Sequence, residues 1–85
     1  MRDRTNLIKD STLYTIQKSR NRKTGKIKYI LRLKGSEKAS ENFYLIRKHF
    51  TLTSPQRWDV DWEWRYHTIE EAEQQVSLAV LKGLL

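Results

Sequence analysis

Trp58-Asp59-Val60-Asp61-Trp62-Glu63-Trp64-Arg65-Tyr66 alternates large apolar and charged side chains without a break, and His67-Thr68-Ile69-Glu70-Glu71-Ala72 follows it directly. Successive side chains of an extended chain point to opposite faces. One side therefore carries Trp58, Val60, Trp62, Trp64 and Tyr66, and the other Asp59, Asp61, Glu63 and Arg65. A slip of one residue would expose all five apolar groups, so the pattern fixes which face is buried. Thr68 and Glu71 then have the spacing of a capping box, in which the Thr hydroxyl accepts from one free amide and the Glu reaches back to another. Acidic residues in the first turn suit the positive end of the helix dipole. Ile69, Ala72, Val76, Ala79, Val80 and Leu84 recur at helical spacing, with Glu70, Glu73, Gln74 and Ser77 opposite. The pattern predicts an amphipathic helix that packs on the tryptophan side of the strand and frays near Gly83.

Further upstream, Ile27, Tyr29, Leu31 and Leu33 alternate with Lys26, Lys28, Ile30, Arg32 and Lys34, and a run of β-formers spans Thr12 to Ser19. Arg20-Asn21-Arg22-Lys23-Thr24-Gly25-Lys26 lies between the two runs, with a glycine where a hairpin loop calls for positive φ. The reading is a basic-tipped β-hairpin. A polar stretch from Gly35 to Asn42 leads to a third expected strand, Phe43 to about Leu52, which Ser54-Pro55-Gln56 ends because proline cannot donate to a ladder. The first eleven residues show no period and mixed charge. The sequence thus predicts an α+β fold, a three- to four-stranded antiparallel sheet packed against one C-terminal helix in the order β-β-β-β-α. Residues 1–11 are expected as a flexible arm and residues 12–85 as a single domain.

The chain has 85 residues and 38% apolar content, but three Trp, four Tyr and two Phe concentrate burial in few positions. Each ring buries roughly 150–250 Å², enough for a thin core. There is no cysteine, hence no disulfide frame and no thiolate zinc site. No apolar run nears the ~20 residues needed to cross a bilayer, and the N-terminus lacks the continuous apolar core of a signal peptide. The expected location is the cytoplasm, without a membrane.

Net charge is +7, and residues 1–50 hold 14 Lys or Arg against 4 Asp or Glu, whereas residues 51–85 hold 3 against 6. The excess is densest in the hairpin, where Lys18, Arg20, Arg22, Lys23, Lys26, Lys28, Arg32 and Lys34 occur with no acid among them. Such a patch binds phosphate by charge and by bidentate arginine contacts, with Arg47 as a further contributor. The competing reading is a solvated edge kept soluble by its cations. The tryptophan strand admits a base-stacking role, but five large residues facing an amphipathic helix are read as core. Asp59, Asp61 and Glu63 share a face at spacings that would take a divalent ion only with further ligands from loops; they are read instead as cross-strand partners of Arg47, His49 or the basic second strand. His49 and His67 are the only histidines, and they sit in different expected elements with no cysteine to complete a metal set. Without a glycine-rich phosphate loop, nucleophile elbow or local triad, no enzyme, cofactor or metal is expected. Leu78, Leu81 and Leu85 form a second apolar stripe, which either wraps the sheet edge or meets another subunit as a homodimer.

A basic, glycine-containing hairpin, a further strand and then Tyr66-His67-Thr68-Ile69-Glu70-Glu71-Ala72 resembles the AP2-type and integrase arm-type DNA-binding domains. The resemblance covers Thr12 to Leu85. It implies a three-stranded antiparallel sheet on one helix, with DNA read by the exposed face of the sheet: here Lys26, Lys28, Arg32 and Lys34, with Arg20, Arg22 and Lys23 on the loop. The stretch from Phe43 to Arg57 and the acidic fourth strand depart from that pattern. Two functions follow as expectations. One is a small domain that binds nucleic acid, DNA rather than RNA, through the first hairpin. The other is an adaptor or inhibitor that docks its sheet face or edge on an acidic or nucleic-acid-binding protein.

Overall fold

The computed structural model describes residues 4–56 and 62–85. In chain order the elements are β1 (Arg4–Asp10), β2 (Tyr14–Arg20), β3 (Ile27–Leu33), α1 (Glu37–Glu41), α2 (Phe43–Thr53), β4 (Glu63–Tyr66) and α3 (Ile69–Leu81). The strands form one antiparallel sheet in the order β1-β2-β3-β4. The α+β class, the four-stranded antiparallel sheet and the C-terminal helix are those the sequence predicts.

The β2–β3 register runs from Tyr14 opposite Leu33 to Arg20 opposite Ile27, and β4 continues it with Trp64 beside Leu31 and Tyr66 beside Tyr29. One sheet face therefore gathers Tyr14, Ile16, Leu31, Leu33, Trp64 and Tyr66. These close a core with Ile46 and Phe50 of α2 and with Ala72, Val76 and Ala79 of α3. Two aromatic side chains of the core are hydrogen-bonded: the Trp64 indole Nε1 donates to Thr51 Oγ1 at 3.2 Å, and the Tyr66 hydroxyl lies 3.0 Å from Thr53 Oγ1. Burial pushes the Tyr66 phenol up to about 12, although the Thr53 contact works in the other direction.

Two segments differ from expectation. Phe43–Thr53, expected as a strand, is helix α2, with Ile46, His49 and Phe50 buried at helical spacing. Phe43-Tyr44-Leu45-Ile46 is a continuous apolar run, which periodicity alone cannot assign. Tertiary packing decides it, because the helix lays Phe50 against Trp64 with ring centroids 5.0 Å apart. A short α1 precedes it, capped by Ser36, whose Oγ accepts from the Ala39 amide at 3.0 Å.

The second difference lies in residues 4–10, expected as part of a loose arm, which form β1 and pair with β2 along its length. The register shifts between Leu7 and Lys9. That bulge inserts one residue and breaks the period of two that would have revealed the strand. Lys9 on the core side then bonds Glu73 of α3 at 2.8 Å, which together with the Tyr14 ring holds its ammonium well above the ordinary lysine range.

Of the tryptophan run, Trp64 and Tyr66 are buried as predicted, and Trp62 is half-buried against Phe43 and Trp64. Trp62 has φ of 62°, a left-handed value that a bulky residue rarely adopts. Trp58, Asp59, Val60 and Asp61 lie outside the described residues.

Helix α3 begins as the sequence predicts, with the Thr68 hydroxyl accepting from the Glu71 amide at 3.1 Å. It ends in a Schellman turn: Gly83 at φ of 77° donates to the Val80 carbonyl and Leu84 to the Ala79 carbonyl. The buried stripe is narrower than predicted, since Val80 is exposed. The second stripe divides: Leu85 packs partly on the core, whereas Leu81 is 81% exposed. Among the described residues, no helix is long and apolar enough to cross a membrane.

Candidate nucleic-acid interface

The β2–β3 loop is fixed by its own side chains. Asn21 Oδ1 accepts from the amides of Lys23 and Thr24 at 2.9 and 3.0 Å, and Thr24 Oγ1 accepts from the Lys26 amide. The Asn21 carbonyl accepts from Gly25, which is held at φ of 72°. An asparagine turn followed by a left-handed glycine gives the loop one shape, so the cations around it project from a set backbone.

Strand register sorts the nine basic residues singled out in the sequence. Lys26, Lys28, Arg32 and Lys34 alternate with the core residues of β3 and so lie on the sheet face away from the helices. Lys18 pairs with Tyr29 and Arg20 with Ile27, which puts both on the helix-backed face. Arg22 and Lys23 belong to the loop. Arg47 stands apart on α2, its guanidinium 5.3 Å from the Phe43 ring.

The open face is itself graded. At its far end Arg32 pairs with Glu63 across β3–β4, and Lys34 bonds Asp10 at 2.5 Å. Glu63 thus pairs with the basic hairpin, as expected for it. Near the loop, Lys26 and Lys28 have no carboxylate partner among the described residues. They line a polar hollow of about 300 Å³ with Ser19, Asn21, Thr24 and Arg65, and no described carboxylate faces it. Between the two ends Ile30 is only 6% exposed, with Gln17 and Arg65 flanking it in register.

Arg65 and Ser19 were not among the residues expected from sequence. Arg65 alternates with the acids of its strand, and its place beside Ile30 follows from β3–β4 pairing, which no local pattern encodes. Alternation does exclude it from the core, and that was the available signal. No metal-ligating group of three or more His, Cys, Asp or Glu side chains occurs among the described residues.

Comparison with known protein families, with curated proteins and with solved structures finds no match to this chain.

Proposed function

We propose that this chain is a nucleic-acid-binding domain that takes duplex DNA on the open face of its sheet, with the β2–β3 loop leading. The observation that carries this reading is the polar hollow lined by Lys26 and Lys28, neither of which has a carboxylate partner among the described residues, beside a loop braced by the Asn21 side chain. Phosphates supply most of the affinity of such a contact, because each neutralised phosphate releases condensed counterions. Ser19, Asn21 and Thr24 add hydroxyl and amide groups of the kind that position a backbone or read a base edge.

The proposal narrows the interface. Arg32 and Lys34 already face carboxylates, so they contribute less than their charge suggests, and Lys18 and Arg20 point to the helix-backed side. The test is fluorescence anisotropy against labelled duplex DNA, single-stranded DNA and RNA over a salt series, with Lys26→Ala/Lys28→Ala beside Lys18→Ala/Arg20→Ala. The first pair should weaken duplex binding and the second should leave it nearly unchanged. Absence of binding to all three probes at low salt would remove the proposal.

A further inference from the structure

On the helical layer, away from the open sheet face, α2 leaves three large apolar side chains in solvent: Tyr44 at 83%, Leu45 at 56% and Leu52 at 63% exposure. They are not scattered. Leu45 and Leu52 are two turns apart and form the rim of a groove of about 420 Å³, whose floor includes the buried Leu84 that follows α3. Tyr44 and Leu52 flank an adjoining depression of about 280 Å³. Both depressions include Lys48 and Leu52, so they form one continuous surface across α2.

Charge narrows what can cover this surface. Lys48 and Lys82 line the larger groove and Arg47 and Lys48 the smaller, and among the described residues no carboxylate lines either one. Lys82 is held in place: its Nζ donates to His49 Nδ1 at 3.2 Å, while His49 Nε2 donates to the Gln75 carbonyl at 3.0 Å. A second copy of the chain laid face to face would oppose these cations with the same cations, and an isologous contact repeats that repulsion on both sides. An acidic segment with apolar anchors one turn apart satisfies both features, since helix-in-groove recognition uses anchors at i, i+3, i+4 and i+7.

We propose that the groove between α2 and the C-terminal end of α3 docks an acidic amphipathic helix of a partner protein, with its leucine-like anchors between Leu45, Leu52 and Leu84 and its carboxylates on Lys48 and Lys82. This contact makes no use of the sheet face, so it stands or falls apart from the nucleic-acid reading.

The test is an NMR titration of the ¹⁵N-labelled full chain with two synthetic helical peptides of roughly 14 residues, identical in their leucine stripe. One carries Glu at the remaining positions and the other Lys. The acidic peptide should shift the amides of residues 44–52 and 82–84 saturably, and the basic peptide should not. Lys48→Glu/Leu52→Glu alters only exposed side chains; its unchanged sheet amides report folding, and it should bind the acidic peptide at least about tenfold more weakly. Four results would overturn the proposal: no shift with the acidic peptide, equal shifts with both peptides, shifts centred on Lys26 and Lys28, or concentration-dependent shifts of the α2 amides without peptide. Anionic phospholipid vesicles form a further arm, and perturbation of the α2 amides by vesicles but not by peptide also counts against it.

Discussion

Replacing Lys26 and Lys28 together by alanine isolates the open sheet face. If Arg22, Lys23, Lys26 and Lys28 each meet one phosphate, log affinity falls with log salt at a slope of about −3.6, roughly 150-fold between 50 and 200 mM. If all nine basic residues singled out by the sequence took part, the slope would be about −8 and the loss about 10⁵-fold over the same range. The difference arises from the structure: Arg32 and Lys34 pair with Glu63 and Asp10, Lys18 and Arg20 face the helices, and Arg47 is on α2. The double alanine variant should therefore flatten the slope to about −1.8, whereas Lys18→Ala/Arg20→Ala should leave it near the parent value. Anisotropy of a labelled duplex across the salt series reads both quantities. Equal flattening by the two variants, or a parent slope near −8, would refute the assignment to one face.

Other expectations concern the framework. Deleting residues 1–10 should lower stability by roughly 2–4 kcal/mol in urea unfolding, through loss of the cross-strand pairs with β2; a loose arm would leave the midpoint unchanged. Thr68→Ala removes the hydroxyl that caps α3 and should cost about 1 kcal/mol, or a fall of about 4–8 °C in Tm by circular dichroism. His49 is held neutral chiefly by burial, with the Lys82 ammonium adding to the effect against the Gln75 carbonyl, so its pKa lies below 6.5 in the folded state. The unfolded chain takes up the proton first, so this contribution to stability is present above pH 6.5 and is lost as pH falls below it. Urea midpoints between neutral and mildly acidic pH should show a smaller loss in Lys82→Gln than in the parent.

The sequence alone determined the features that repeat locally. Alternation in Ile27–Leu33 and Trp62–Tyr66 named the buried faces, and Leu31, Leu33, Trp64 and Tyr66 are buried accordingly. Gly25 marked the hairpin turn, and Thr68 with Glu71 marked the start of α3, because turns and caps are set by a few neighbouring residues. Only tertiary structure decided the rest. The continuous apolar run at Phe43 satisfies a strand or a helix equally, and its contact with Trp64, distant in the chain, makes it α2. A bulge concealed β1 by breaking the period that betrays a strand. The grading of the basic surface was hidden for the same reason: Glu63 reaches Arg32, and Arg65 comes to lie across from Ile30, only once β4 has paired with β3. Charge density is written along the chain, but which charges remain free to meet a partner depends on contacts between residues that the sequence keeps far apart.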